Sequence, residues 1–243
     1  NMREVTVVLT SCGRLDLLSK TIKSFKKYNT YPIKKVIIVD DSGDKSIHEQ
    51  ADKLLPFLLE EYDHFVFFND KRQGQLKSID YAYSLVETPY IFHLEDDWEF
   101  YRPSFIEHSF KLMDEDPKLI TVWLRELNDT MSHPIDKKSH FATYLVENEP
   151  LAVLKYYYVK EYNGWSGYTF NPGLRRYLDY KAIKPFEKHI PKNLKNIPQS
   201  LLEVELAISK KYGELGYRAA IFDNGYIRHI GWKNSTKNER SKI

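Results

Sequence analysis

The stretch Tyr90-Ile91-Phe92-His93-Leu94-Glu95-Asp96-Asp97-Trp98 joins an apolar run to three adjacent acids. The apolar part is typical of a buried β-strand. Three neighbouring carboxylates repel one another unless a cation or a strong hydrogen-bond donor lies between them. The pattern therefore predicts a strand that ends at a divalent-metal site, against the alternative of a solvated acidic turn.

A second strand-like run ends in acids as well. The run Val36-Ile37-Ile38-Val39 is followed by Asp40 and Asp41 and then by the turn residues Ser42 and Gly43. In open α/β sheets, ligands bind at the carboxyl ends of strands, beside the point where the strand order reverses. We therefore expect the two acidic strand ends to form one shared site.

Residues 5–124 alternate strand-like runs with segments of helical periodicity. The predicted strands are Val5–Thr10, Val36–Val39, Phe65–Phe68, Tyr90–Leu94 and Leu119–Leu124. The predicted helices carry Leu18, Ile22 and Phe25, then Ala51–Glu61 with Pro56 inside it, then Leu76, Ile79, Tyr83 and Val86, and then Ile106, Phe110 and Met113. Strict alternation implies right-handed βαβ crossovers, and so an α/β fold with a mainly parallel central sheet flanked by helices.

From about residue 125 the alternation stops, which predicts a smaller, mixed second half. Its elements are a strand or hairpin at Tyr156-Tyr157-Tyr158, a helix from Leu201 to Leu215, and strands Arg218–Phe222 and Tyr226–Ile230. The change of pattern divides one domain into two halves, residues 2–124 and residues 125–232. Residues 233–243 form a polar, basic tail.

Composition excludes several classes of protein. The chain has 243 residues, 42% of them hydrophobic, and a formal net charge of +2, so neither charge nor any basic stripe predicts nucleic-acid binding. Cys12 is the only cysteine, and no apolar run reaches the roughly 18 residues of a membrane span. We therefore expect a soluble, cytoplasmic protein without a membrane span. The P-loop, dinucleotide-binding, nucleophile-elbow and HExxH patterns are also absent.

Taken in order, Val5–Thr10, Val39-Asp40-Asp41-Ser42-Gly43 and Leu94-Glu95-Asp96-Asp97 resemble the family-2 glycosyltransferases of the GT-A fold. The resemblance covers most of the chain, closely over 5–124 and more loosely over 160–232. It implies a Rossmann-like GT-A architecture and transfer of a sugar from a nucleotide-sugar donor. It also implies that residues 2–124 bind the donor nucleotide and that residues 125–232 of the same domain hold the acceptor and the catalytic group.

The same resemblance implies roles for the acids. It places Asp40 or Asp41 on the nucleobase, Asp96 in the nucleotide site, and Asp97 on the metal ion. Mg²⁺ and Mn²⁺ bind to one or two carboxylates together with phosphate oxygens and water, which fits this cluster. Such an ion neutralises a diphosphate leaving group as negative charge builds on it.

Two positions in the second half match the family as well. Glu203-Val204-Glu205-Leu206 stands where the family commonly has an acidic run whose acid deprotonates the acceptor hydroxyl, and the alignment gives that role to Glu203 ahead of Glu205. His229 stands where many members carry a histidine that reaches the metal or pyrophosphate. The alternatives are ordinary first-turn glutamates and a surface histidine.

The remaining candidates follow from their positions. Thr10 and Arg14, around the end of the first strand, and Lys71 and Arg72, after the third, could contact the nucleotide; solvated loop charges are the alternative for the three basic residues. Lys233 and the tail could fold over the pyrophosphate as a lid. Trp165, Ser166 and Gly167 are expected at the sugar and acceptor, against the alternative of a tight turn with core aromatics.

Two features of the sequence depart from the family pattern. Ser78-Ile79-Asp80 replaces the usual A-R-N run, which weakens the case for nucleotide contacts there, and the QxxRW signature of processive synthases is absent. We therefore predict an inverting, metal-dependent, non-processive hexosyltransferase of polysaccharide biosynthesis. It would use UDP- or GDP-sugar and a glycan or glycoconjugate acceptor. A sugar-phosphate nucleotidyltransferase and a non-catalytic nucleotide- or carbohydrate-binding module are the alternatives.

Overall fold

The computed structural model describes residues 2–194 and 201–231, and within these ranges it contains eleven strands and six α-helices. The strands are β1 Val5–Ser11, β2 Lys35–Asp40, β3 His64–Phe68, β4 Tyr90–Glu95, β5 Trp98–Phe100, β6 Leu119–Trp123, β7 Ile135–Tyr144, β8 Ala152–Val159, β9 Gly173–Arg176, β10 Arg218–Phe222 and β11 Ile227–His229. The helices are α1 Leu15–Tyr28, α2 Lys45–Leu58, α3 Gln75–Ser84, α4 Phe105–Glu115, α5 Tyr177–Ile183 and α6 Leu201–Glu214.

The largest sheet has the strand order β3-β2-β1-β4-β9. Its first four strands are parallel, and β9 is antiparallel to β4. The chain moves outward from β1 through β2 to β3 and then returns to the other side of β1 as β4. The strand order therefore reverses between β1 and β4, which is where ligands bind in sheets of this kind.

Two smaller sheets complete the fold. A four-stranded sheet has the order β6-β10-β8-β7, in which only β6 and β10 are parallel, and β5 pairs with β11 in an antiparallel ribbon. The predicted fifth strand, β6, therefore lies beside strands of the second half and not beside β4. The α/β class and the parallel arrangement of β1 to β4 are confirmed.

Both faces of the largest sheet are covered, and alternate residues of β1 enter two parts of the core. Val7 packs in one cluster with Phe25 of α1 and Phe105 of α4, whereas Val8 packs in the other with Ile79 of α3. Because successive strand residues point to opposite faces, a continuous apolar run is what a strand buried on both sides requires. Burial of each such side chain stabilises the fold by about 1.5–3 kcal/mol.

The second helix begins earlier than the sequence predicted. Asp44 caps α2, since its carboxylate accepts hydrogen bonds from the backbone N–H groups of Ser46 and Ile47. Pro56 lies in the last turn of the helix. There its missing N–H removes a single hydrogen bond and the helix ends soon afterwards, so proline is tolerated.

Four elements were not predicted, namely β5, β7, β9 and α5. The edge strand β7 carries Lys137 and Lys138 in mid-strand, which blunts its apolar alternation. Strand β9 is only four residues long and begins at Gly173, where an added Cβ would lie 2.6 Å from Thr121 Oγ1 on β6. Glycine therefore permits the close approach of the two larger sheets. None of the helices in the described ranges is both long and apolar enough to cross a membrane.

Candidate active site

The two acidic strand ends lie at one edge of the sheet with β1 between them, as their sequence pattern predicted. In the parallel ladders, Ser11 at the end of β1 is paired with Asp40 of β2, and Thr10 is paired with Glu95 of β4. Thr10 is buried. Asp40, Asp41, Asp96 and Asp97 thus gather at the carboxyl edge of the sheet, on both sides of β1.

The first acidic pair is bound to the backbone of its own surroundings. Asp40 accepts hydrogen bonds from the N–H groups of Gly13 and Ser42, each at 2.9 Å. Asp41 accepts one from the Asn69 side chain at 2.8 Å and others from the N–H groups of residues 73 and 74, at 2.6 and 2.8 Å. These carboxylates hold together the loops that follow β1 and β3.

The second acidic pair faces charged groups. The guanidinium of Arg14 binds both Asp96 and Asp97, and its Nη2 lies 3.1 Å from Asp97 Oδ2. Ser11 Oγ donates to Asp96 Oδ2 at 3.0 Å. Burial raises the pKa of Asp96 to about 6, although the Arg14 charge opposes the shift. Arg14 therefore provides the cation that two adjacent buried carboxylates require.

Asp97 is also bound from the end of the chain. His229 Nε2 lies 3.1 Å from Asp97 Oδ2, and the N–H of Ile230 donates to the backbone carbonyl of Asp97 at 2.9 Å. Burial acts to raise the pKa of Asp97, but the hydrogen bond with His229 and the Arg14 charge outweigh it and lower that pKa. The antiparallel pairing of β5 with β11 brings His229 to this place.

The residues fit a divalent ion in part. Within residues 2–194 and 201–231, no group of three or more His, Cys, Asp and Glu side chains is arranged to hold a metal ion. Asp97, in the turn between β4 and β5, nevertheless meets His229 of β11, with Asp96 adjacent in the same turn, and the Arg14 guanidinium supplies positive charge there. Since Mg²⁺ and Mn²⁺ take many of their ligands from phosphate and water, such a donor set is compatible with one.

Glu205 of α6 lies near the acidic edge and Glu203 is exposed, and a catalytic role for either glutamate stays a prediction. Glu205 is half-buried and its Oε2 accepts the N–H of Phe170 at 3.1 Å, whereas Glu203 is exposed. Burial and the charges of Asp97, Asp96 and Glu205 raise the pKa of Glu95 well above its usual value, and Gln75 donates to Glu95 at 3.0 Å. Residues two apart on a helix point in nearly opposite directions, so only one of these glutamates can face the sheet.

The segment expected at the acceptor is bound to the protein itself. Ser166 Oγ donates to the Ser209 carbonyl at 2.6 Å, and the carbonyl of Gly167 accepts Trp123 Nε1 at 2.9 Å. At Gly167 an added Cβ would lie 2.8 Å from Ala219, so its close approach is to strand β10. Trp165 is buried at 8% exposure. These contacts fix the segment to α6 and β10, and a role in acceptor binding stays a prediction.

The structure describes the predicted basic residues that follow β3 but not Lys233. Arg72 is exposed, as is Lys71, and their backbone packs on Gly43 in the loop after β2. Lys233 and the tail lie outside the described residues. Ser78 and Asp80, which stand where the family usually has its A-R-N run, are bound within the protein. Asp80 accepts hydrogen bonds from the N–H groups of residues 186 and 187, and Ser78 Oγ accepts one from Asn69. That helix therefore serves packing at those positions.

One cation beside the acidic edge was not predicted. Arg125 is 7% exposed, pairs with Asp129 at 3.2 Å, and lies with its guanidinium carbon 5.5 Å from the Trp98 ring centre. It follows the predicted strand Leu119–Leu124 directly. The rule applied to the other strand ends could have identified it, but a single basic residue is a weaker signal than a run of acids.

The family model described as Glycosyl transferase family 2 matches residues 6–182, which is more than half of the chain. No curated protein matches this chain.

Solved structures of similar fold include a mannosyltransferase, PcManGT from Pyrobaculum calidifontis, in complex with GDP-Man and Mn²⁺. It is 11% identical with a TM-score of 0.61, and the match covers 90% of this chain and 54% of that one. S. aureus TarS 1-349 is 14% identical with a TM-score of 0.60, covering 92% and 59%. GalNAc-T7 with UDP, GalNAc and Mn²⁺ is 12% identical with a TM-score of 0.64, covering 96% and 45%.

At these identities the likeness shows the fold alone. This chain spans about half the length of the structures it matches.

Proposed function

Since the chain belongs to glycosyl transferase family 2, we propose that it is an inverting, metal-dependent enzyme that moves one hexose from a nucleotide-sugar donor to an acceptor hydroxyl. The acceptor would be a glycan or a glycoconjugate. The observation that carries the proposal is the meeting of Asp96, Asp97, Arg14 and His229 at the reversal point of the sheet. Fold likeness alone would not support a reaction.

The donor would lie along the carboxyl edge of β1, β2 and β4. Asp40 and Asp41 shape the loops around the nucleobase, and Arg14 and Arg72 offer guanidinium groups to the diphosphate. Asp97 and His229 would hold Mn²⁺ or Mg²⁺. When bound, the ion supplies positive charge to the diphosphate as the sugar leaves it. A GDP- or UDP-sugar is the donor class, in line with the ligands of the PcManGT and GalNAc-T7 structures.

The base would be a glutamate of α6. It removes the proton of the acceptor hydroxyl, and the acceptor oxygen bonds to the anomeric carbon as the bond to the diphosphate breaks. The nucleoside diphosphate leaves on the opposite side, so the anomeric configuration inverts. We propose Glu205 for this role in preference to Glu203. The support is its hydrogen bond with the N–H of Phe170 and its effect on the pKa of Glu95, which together set it beside the acidic edge.

Two measurements test the proposal. Calorimetry with UDP and with GDP, each with and without Mn²⁺, should detect saturable binding that requires the ion. Release of nucleoside diphosphate from UDP-glucose, UDP-N-acetylglucosamine and GDP-mannose should then be detectable with at least one donor. Absence of both binding and release would overturn the function.

The same assay decides between the two glutamates. Glu205→Gln should lower turnover by about 10² to 10⁴-fold while leaving nucleoside diphosphate affinity unchanged, because a positioned base contributes that much to rate. Glu203→Gln is the matched control from the same helix and should retain most of its turnover. The reverse result would return the role to Glu203, as the sequence resemblance implies.

A further inference from the structure

Arg175 on β9 is a buried cation that no feature of the sequence singled out. It is 4% exposed, and in the described ranges no ion pair joins it to a carboxylate. Burial of a guanidinium without a counter-ion costs several kcal/mol unless hydrogen bonds compensate. A methionine or leucine would fill the same space without that cost. The residue therefore calls for an explanation beyond packing.

The hydrogen bonds that its Nη2 donates go to one short turn. Arg175 Nη2 donates to the carbonyl of Thr169 at 2.6 Å and to the carbonyl of Asn171 at 3.0 Å. The guanidinium carbon lies 4.8 Å from the ring centre of Tyr168. One nitrogen thus holds the carbonyls on either side of Phe170. A neutral side chain that cannot donate would leave both carbonyls without this charged donor.

The same peptide unit also binds Glu205. The carbonyl of Thr169 and the N–H of Phe170 belong to one peptide group, and in a trans peptide these two groups point in opposite directions. Arg175 binds the oxygen end, and Glu205 Oε2 accepts the N–H end at 3.1 Å. A cation on the carbonyl polarises the peptide and strengthens the hydrogen bond that its N–H donates.

We propose that Arg175 is a positioning residue that holds the carboxylate of Glu205 through the Thr169–Phe170 peptide. It orients this peptide by binding the Thr169 carbonyl, and it makes the Phe170 N–H a stronger donor to Glu205. The catalytic consequence rests on the proposed function, in which Glu205 is the base. The structural coupling between Arg175 and Glu205 does not depend on that function.

The first test is spectroscopic and needs no substrate. In the wild-type protein, Glu205→Gln should shift the Phe170 amide resonance in a ¹H–¹⁵N spectrum, because a neutral amide replaces a carboxylate as acceptor. In an Arg175→Met background the same substitution should shift that resonance much less. An equal shift in both backgrounds would overturn the proposal. If Arg175→Met does not fold, Arg175→Gln carries the same pair of outcomes, since it removes the charge that polarises the carbonyl and keeps a polar side chain in the buried site.

Arg176 provides a matched control from the adjacent position. Its side chain also binds backbone carbonyls, those of Leu119 at 2.7 Å and Met113 at 2.9 Å, but not the turn at Phe170. Arg176→Met should therefore lower stability while leaving the response of the Phe170 amide to Glu205→Gln unchanged. Loss of that response in the control would mean that any buried arginine on β9 acts alike, which also overturns the proposal.

The second test concerns turnover. Arg175→Met should lower donor turnover by between about 10-fold and 100-fold, the scale of a small misplacement of a catalytic group, with nucleoside diphosphate affinity unchanged. The loss should disappear when Glu205 is already glutamine, because the two residues would act through one hydrogen bond. Additive losses would contradict the coupling. If the wild-type protein shows neither nucleoside diphosphate binding nor turnover, the proposed function fails, and the spectroscopic test still decides whether Arg175 is coupled to Glu205.

Discussion

Two pairs of adjacent aspartates end neighbouring strands, yet their surroundings differ in kind. Asp40 and Asp41 accept hydrogen bonds mainly from neutral backbone N–H groups of the loops that follow β1, β2 and β3. Asp96 and Asp97 face a guanidinium, and Asp97 also faces the imidazole of His229. The backbone N–H donors of the first pair cannot move away unless a loop unfolds.

The difference indicates that the partners of the second pair can move away more easily than the partners of the first pair. Backbone donors fix the shape of the first pair's loops and therefore the space beside them. A side-chain cation such as Arg14 can rotate away, so the carboxylates of the second pair can exchange it for another cation. The same residue type thus fixes loop structure at one strand end and, in the proposed function, would bind the metal ion at the other.

The largest effect is expected from the second pair. Asp97→Asn removes one charge and little volume, and we expect Mn²⁺-dependent binding of UDP or GDP to weaken at least about 100-fold, since even loss of an outer-shell partner costs about 10 to 100-fold. Calorimetry on the folded variant measures this. Asp114→Asn is the control, because Asp114 pairs with Arg3 at an exposed position. Unchanged affinity in Asp97→Asn would show that Asp97 does not bind the metal ion and that the two aspartate pairs do not differ in this way.

A loss of stability is expected from the first pair. Asp41→Asn places an amide where three donors converge, so at least one N–H loses its acceptor, and the free energy of unfolding should fall by about 1.5–3 kcal/mol, the contribution of a hydrogen bond to a charged group. Urea denaturation measures it. Asp44→Asn in the same loop should cost almost nothing, since asparagine caps a helix as well as aspartate does. If Asp41→Asn kept full stability, the first pair would not be structural.

A smaller effect is expected from Gly231, whose backbone lies close to Asp97. At Gly231 an added Cβ would lie 2.5 Å from Asp97 Oδ2 and 2.8 Å from its Cβ. Gly231→Ala should therefore displace the carboxylate and weaken Mn²⁺-dependent nucleotide binding by about 10-fold, because a ligand must stay within about 0.5 Å of its working position. Calorimetry measures the change.

Gly216→Ala separates displacement from backbone strain in that experiment. Gly216 has a φ of +81° and open space around its Cα, so alanine there should cost about 1 kcal/mol of stability and leave nucleotide binding unchanged. If both variants weakened binding equally, the effect of Gly231→Ala would reflect general destabilisation and not the position of Asp97.

Local patterns were sufficient for β1 to β4 and for the acids that follow them. Continuous apolar runs identify strands buried on both faces, and parallel strands necessarily bring their carboxyl ends to one edge. The placement of Asp40 and of the acids that follow β4 at one edge of the sheet could therefore be predicted from the sequence. The strands β7 and β9 were missed because an edge strand and a four-residue strand carry little of this pattern.

The sequence by itself determined the α/β class, the family and the edge of the sheet at which the acids lie, because these depend on periodicity and on short ordered motifs. Only the tertiary structure decided which partners the acids have. Asp97 meets His229 through the pairing of β5 with β11, over a separation of 132 residues that no local pattern specifies. The rotation of α6 likewise turns Glu205 inward and Glu203 outward, because a helix places residues two apart on opposite sides and only packing selects the side.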